Sequence, residues 1–292
     1  MREMVKVNKK KLVKRALLKN VNSVVLEKFI MFYYLGYWPN IKNPQSLNEK
    51  VAYRKHYLKD IEPRFVDKYE VRSYVEEVVG KKFLTKLYAV TRDVQSLNYS
   101  ELPDAFVIKA THNSGPVQII QKKTKRAFKH AVQEIERQLH SPYGDWTMEY
   151  WYRELQPRLV VEELLPGPFD GRLNEYKIFV FHGVARFISI YRDGQKGETG
   201  KLVILDLNWH VINVTFRQAS FTPPQKPQNF KYIIEIAERL GAQFSFVRVD
   251  LYELENGNVK FGELTFGPKG GRGNFKPRAY DFKFGSYWNI KE

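Results

Sequence analysis

The chain has 292 residues, enough for one large domain or two modest ones with substantial cores. With 43% hydrophobic and 15% aromatic residues it is too apolar to stay disordered. The absence of cysteine excludes a disulfide scaffold, thiolate zinc and a cysteine nucleophile, and it fits a reducing compartment. Lysine and arginine total 48 against 32 acidic residues, a formal charge of +16 that attracts nucleic acid, acidic glycans, nucleotides or an anionic membrane face.

In chain order, residues 1–60 read as basic helices with aromatic packing. MREMVKVNKKKLVKRALLKN carries basic residues throughout, and no apolar core of signal-peptide length follows it. The run FIMFYYLGYW (29–38) is about half the length that crosses a bilayer. These helices suit a solvated face over a buried stripe, or docking on an anionic membrane or an acidic partner. FVDKYEVRSYVEEVVG (65–80) has helical spacing, with Phe65, Tyr69, Val71, Val75 and Val78 on one side and Gly80 as the stop. Strands follow at AFVIKA (105–110) and PVQIIQ (116–121), then a helix over 126–140. Further strands are RLVVEELL (158–165), a hairpin over 175–192 turning at His182-Gly183, and a second hairpin over 201–214. An amphipathic helix over 229–241 ends at a capping glycine. Two strands over 246–264 are joined around Asn256-Gly257. The pattern is α+β, rich in antiparallel hairpins, and it lacks the repeated βαβ spacing of a doubly wound sheet.

Three places carry candidate chemistry. Asp250 stands six residues before Asn256 and Glu263 six after Gly257, so an antiparallel pairing brings both carboxylates to one face. Two carboxylates that close need a cation between them, and oxygen ligands suit Mg²⁺. Arg248 shares the face of Asp250; a surface cross-strand network is the plainer reading of all three. FVIKATHNSG (106–115) ends a strand at Lys109 and turns through small residues whose amides could cradle phosphate, or form an ordinary β-turn. VVEELLPG (160–167) sets Glu162 and Glu163 in an apolar run, where a buried carboxylate needs a partner. That strand could also offer its backbone to an adenine edge.

The order of these stretches resembles the ATP-grasp superfamily, and within it the TupA-like branch found among bacterial polysaccharide and teichuronopeptide biosynthesis proteins. The likeness rests on SLNEKVAYRKHYLKD (46–60), FVDKYEVRSYV (65–75), FVIKATHNSG, EYKIFVFHG (175–183) and FVRVDLYELENGNVKFGELTF (246–266), and covers roughly residues 45–285. It implies an ATP-grasp fold of two α+β subdomains with ATP between them, behind a basic helical N-terminal extension. The corresponding divisions are 1–60 for the extension, 61–160 for the lysine motifs and phosphate lid, and 161–292 for the adenine hinge, metal site and substrate loop.

By position, the resemblance implies that Lys68 and Lys109 contact ATP phosphates and that His112, Asn113, Ser114 and Gly115 form a flexible lid. Glu162, Glu163 and the backbone at Leu165 would meet the adenine, and Glu175 the ribose. Lys177 would face phosphate or substrate, while Asp250 and Glu263 would hold Mg²⁺. Arg248 would stabilise charge on an acyl phosphate or tetrahedral intermediate. The superfamily's usual Glu-x-Asn is here Glu263-Leu264-Thr265, so Thr265 would supply a weaker or water-mediated metal contact. Residues 1–60 are too short and too helical for the α/β domain that precedes the lysine motifs in many members. GPKGGRGNFKPR (267–278) follows the Glu263 strand directly, and Lys269, Arg272, Lys276 and Arg278 are candidates for holding acceptor carboxylates.

The function so implied is an ATP-dependent carboxylate–amine ligase, a carbon–nitrogen bond-forming and ADP-producing enzyme. Its acceptor would be an acidic glycan or uronic-acid substrate, and its co-substrate an amine or amino acid. Alternatives are an ATP-grasp glycan kinase and a non-enzymatic polyanion-binding module; against the latter, the basic residues are dispersed and carry no RNA-recognition signature. The expected location is cytoplasmic, at the inner face of the membrane through anionic lipid or glycan-assembly proteins.

Overall fold

The computed structural model describes residues 22–290, apart from 142, 146, 167–173, 193–200 and 217–219. The first twenty-one residues of the basic extension and Gly167 therefore lie outside the described residues. Two antiparallel sheets organise the rest. The smaller has the order β1 (Leu87–Thr91), β4 (Leu159–Glu163), β2 (Phe106–Ala110), β3 (Gln118–Ile120). The larger has the order β10 (Val259–Thr265), β9 (Phe246–Glu253), β5 (Asn174–Phe181), β6 (Val184–Arg192), β7 (Lys201–Leu205). A two-stranded ribbon pairs β11 (Phe275–Lys276) with β8 (Thr215–Phe216).

Each sheet buries one face under an amphipathic helix. In the small sheet, Phe106, Ile108, Leu159 and Val161 pack with Ala131 and Ile135 of α4 (Lys125–Leu139). Alternation then sends Lys109 and Glu162 to the opposite face. In the large sheet, Ile178, Val180, Val247 and Val249 meet Ile233 and Ile236 of α5 (Phe230–Gly241). The other face is divided. At one end Phe179, Phe181, Phe187 and Phe246 stack, covered by Leu47 and Val51 of α2 (Leu47–Tyr57) and by Phe284 of α6 (Ala279–Ser286). At the other end the same face turns polar and carries Glu175, Lys177, Arg248 and Asp250.

The described part of the extension, from residue 22, packs into this architecture. α2 starts in a capping box, with Ser46 accepting from the Glu49 amide and the Glu49 carboxylate accepting from the Ser46 amide. Arg54 is fully buried over the Trp288 ring at 4.3 Å and donates to the Phe246 carbonyl at 2.8 Å. That contact fixes α2 to the large sheet.

Three expectations differ from the structure. The helix expected over 65–80 is α3 (Val71–Val78) alone. Asp67 breaks the earlier turn because its carboxylate accepts from the amides of Tyr69 and Glu70 and from the Thr111 hydroxyl at 2.7 Å. The second hairpin expected over 201–214 is one strand plus a single bridge between Leu205 and Val211. Gly241 does not cap its helix: it is the last helical residue, and a Cβ there would lie 2.5 Å from Val180 Cγ1. Close packing, not a left-handed turn, requires glycine there. The hairpin at His182-Gly183 does have both residues at positive φ, 48° and 76°, as a two-residue turn needs.

Candidate active site

The polar end of the large sheet is a charge network built by register. β5 sets Lys177 opposite Asp250, and β10 sets Glu263 opposite Asp250 and Thr265 opposite Arg248. Counting from a two-residue turn reaches the same Asp250–Glu263 pair, but by two compensating departures. The hairpin loop is longer, closed between Leu254 and Asn258, and a bulge at Gly262 restores the register. A side chain at Gly262 would meet the Asp250 carbonyl at 3.0 Å, so glycine suits the bulge.

Arg248 is the hub. Its Nε and Nη2 donate to the two Asp250 carboxylate oxygens at 2.7 and 2.6 Å, and Nη2 also reaches Glu263 Oε1 at 3.0 Å and Thr265 Oγ1 at 2.9 Å. Lys177 Nζ lies 2.8 Å from Asp250 and 2.6 Å from Glu175, whose other oxygen accepts from the Tyr252 hydroxyl. Burial opposes every charge here, yet the pairing decides most of them. Asp250 is held below the usual carboxylate range by Arg248 and Lys177, despite being fully buried. Lys177 is raised above its ordinary value, burial being outweighed by Asp250 and Glu175. Burial prevails at Glu175 and raises its pKa, with Lys177 offsetting only part.

The small sheet brings its own cations. Lys68 is anchored by its amide to the Thr111 carbonyl at 3.2 Å, and its Nζ donates to the Asn113 carbonyl. Burial lowers the Lys68 pKa, and Glu263, on the other sheet, is its largest favourable charge. Lys109 Nζ and Arg72 share Glu162, at 2.7 and 2.9 Å on separate oxygens. Glu163 Oε1 instead accepts from the Lys86 amide at 2.8 Å. The turn after β2 is tied down: Asn113 bonds Gln138 and the Gly115 amide, and Ser114 meets the Tyr143 hydroxyl. His112 is buried there, and burial lowers its pKa. Leu165 is half-buried beyond β4.

A cavity of about 500 Å³ opens on this network, lined on one side by Glu175, Lys177, Arg248, Glu263 and Thr265. Of the basic loop, Lys269 lines it. Arg272 does not: it is buried and its Nε pairs with Glu27 at 3.2 Å, beside Lys55, whose Nζ lies 2.8 Å from the same carboxylate. Asn48 locks the loop in that pose, its amide group donating to the Gly273 carbonyl and accepting from the Gly273 amide. Lys276 and Arg278 are exposed, and Arg278 stacks over Tyr37 at 4.0 Å. Of the four candidates for the acceptor wall, the structure thus brings only Lys269 to the cavity.

The segment 143–152 supplies a wall that the sequence reading passed over: Tyr143, Thr147, Glu149 and Tyr152. Glu149 is 6% exposed, and burial pushes its pKa up to about 7 against the pull of Lys55. The one signal for this wall is a dense run of aromatic and acidic residues, YGDWTMEYWY, with neither helical nor strand period.

The molecule thus pairs two helix-backed antiparallel sheets, the larger of which turns Glu175, Lys177, Arg248 and Glu263 into a cavity. A family model described as TupA-like ATPgrasp matches residues 49–289, and the chain belongs to that family. A search of curated proteins gives no match. Among solved structures, a D-alanine–D-alanine ligase from Bacillus anthracis is 14% identical, with 69% of this chain and 57% of that one covered at a TM-score of 0.44. The ATP-grasp ligase PsnB, in a complex with a precursor variant, Mg and ADP, is 10% identical over 69% of this chain and 50% of its own, at 0.39. An L-amino acid ligase from Bacillus licheniformis is 13% identical over 74% and 41%, also at 0.39. The chain spans about half the length of these structures.

Proposed function

We propose that this chain is an ATP-dependent carboxylate–amine ligase that forms an amide through an acyl phosphate. We further propose that it modifies an acidic bacterial cell-surface polysaccharide, or its precursor, with an amino acid or other amine. The reading is carried by one observation: Arg248, Lys177, Glu263 and Thr265 converge on a single sheet face lining one cavity, with Asp250 buried behind them and bonded to Arg248 and Lys177. ATP and Mg²⁺ enter as part of this proposal.

The donor set fits magnesium. Glu263 and Thr265 offer hard oxygens, and the contacts of Glu263 with Arg248 and Thr265 both fall on Oε1. Asp250 stands behind them, already neutralised by Arg248 and Lys177. Among the described residues no cluster of three or more histidines and carboxylates could hold a metal by itself. Two carboxylates with nucleotide phosphates completing the shell is a common magnesium arrangement. When bound, the ion would offset charge on the transferring phosphoryl group.

The chain's own residues account for the remaining chemistry. In this reading Lys68 and Lys109 would hold phosphate oxygens, and Lys177 and Arg248 would meet charge that grows between phosphate and acceptor. The acceptor carboxylate attacks the γ-phosphorus and ADP leaves; the amine then attacks the acyl carbon and inorganic phosphate leaves. Lys269 is the loop cation that lines the cavity. Burial keeps Lys177 and Arg248 out of bulk water, where their charges act at lower effective dielectric.

The test screens uronic-acid glycans against amino acids for coupled release of ADP and phosphate. The reading expects release only when both substrates are present, and a fall of about 100-fold or more in Glu263→Gln. Full turnover in Glu263→Gln and Asp250→Asn would sink it. A phosphorylated glycan with no free phosphate would mark a kinase instead.

A further inference from the structure

The helix α1 (Ser23–Leu35) has the wrong pattern for its position. One side is buried through Leu26, Glu27 and Met31. The other carries Val25, Phe29, Phe32 and Tyr33 at helical spacing, exposed by 44, 58, 49 and 82%. Gly36, at φ 74°, ends the helix and turns the chain back. Trp38, itself 52% exposed, then rests against Phe29 and Phe32 with ring centroids at 5.2 and 5.9 Å. A contiguous aromatic face of this kind is uncommon on a surface that meets only water.

The charges next to it in sequence are mainly basic. Residues 1–21, which lead into the helix, hold eight lysines and arginines and one acid. Lys42 is exposed four residues beyond Trp38, and Arg278 stacks on Tyr37. A second copy of a chain of charge +16 would bring like charges together across such a face. A bilayer of anionic headgroups would pair with the cations and receive the aromatic rings at its interface, where tryptophan and tyrosine are most at home. Among the described residues no helix is long and apolar enough to cross a membrane, so the contact is one of lying on the surface.

We infer that the Phe29–Phe32–Tyr33–Trp38 face of α1 docks this protein on an anionic lipid bilayer, with the neighbouring basic residues supplying the electrostatic attraction. Binding needs neither ATP nor acceptor, so it is measured independently of the proposed reaction.

The experiment sediments the full 292-residue chain with vesicles of phosphatidylcholine, with and without phosphatidylglycerol. The expected result is binding that requires phosphatidylglycerol, weakens with salt and drops by about tenfold or more in Phe29→Ser/Phe32→Ser. A blue shift of tryptophan emission on those vesicles should vanish in Trp38→Phe. That second reading needs only the parent chain and the conservative Trp38→Phe variant, so it decides the matter even if the double variant proves unstable. Absence of vesicle binding, binding undiminished in a double variant of unchanged Tm, or binding without a Trp38 shift would each overturn the inference. So would concentration-dependent dimerisation that the double variant abolishes.

Discussion

At the residue scale, two buried acids separate structural from chemical roles. Arg272 looks in sequence like one more cation of a substrate loop, yet it is spent on Glu27, a fully buried carboxylate whose pKa is held well below the ordinary value, burial being outweighed by Lys55, His56 and Arg272. Removing Arg272 leaves the buried Glu27 carboxylate to Lys55 and His56, at a cost of up to about 3 kcal/mol. Arg272→Ala should therefore lower Tm by several degrees, measured by calorimetry, and leave the ratio of acceptor KM to ATP KM little changed. A selective rise in acceptor KM at constant Tm would return Arg272 to the substrate wall. Glu149 titrates the other way. Its pKa rises from 4.5 to about 7, with burial the largest cause. Between those values the folded chain holds a proton that the unfolded chain releases, so the Glu149 contribution to stability falls as pH rises through that window. Its full size is on the order of 3 kcal/mol. The Tm of Glu149→Gln relative to the parent should accordingly climb from pH 5 to 8, and a flat difference would contradict the assignment.

At the scale of elements, periodicity revealed what faces a core, and little else. The strands Phe106–Ala110, Asn174–Phe181 and Phe246–Glu253 and the helix Phe230–Gly241 stand where their apolar spacing puts them, because each buries one face against a partner. The Asp250–Glu263 pairing came instead from counting outward from Asn256-Gly257, and it matches the structure only because the longer loop and the Gly262 bulge, neither of them legible, cancel. Where side chains compete with the backbone, spacing misled. Asp67 capping its own turn cut the helix back to Val71, and Lys68 owes its place to that interruption. The wall at 143–152 has no period to read, since its residues are fixed by contacts distant in sequence. The end of α5 offers a direct test of close packing. Gly241→Ala should cost about 1–3 kcal/mol by overlapping Val180, and Val180→Ala in the same chain should recover part of that loss. Additive destabilisation in the double variant, read from denaturant midpoints, would count against the packing argument.

At the scale of the whole molecule, the two sheets divide the labour. The small one carries the Lys109–Glu162 pair, the large one the Arg248 network, and the cavity lies where that network faces α2, the loop at 267–270 and the 143–152 wall. Arg54 ties α2 to the large sheet through the Phe246 carbonyl, and Asn48 ties it to the loop at Gly273. The central claim is that the acceptor carboxylate takes the γ-phosphoryl group before it meets an amine. Isotope labelling tests it most directly. A uronic-acid oligosaccharide labelled with ¹⁸O in its carboxylates is turned over with Mg-ATP and amino acids, and the released phosphate is analysed by mass spectrometry. The ligase account predicts one ¹⁸O atom in each phosphate, delivered through the acyl phosphate. Unlabelled phosphate, or label retained in a phosphorylated glycan, would contradict it.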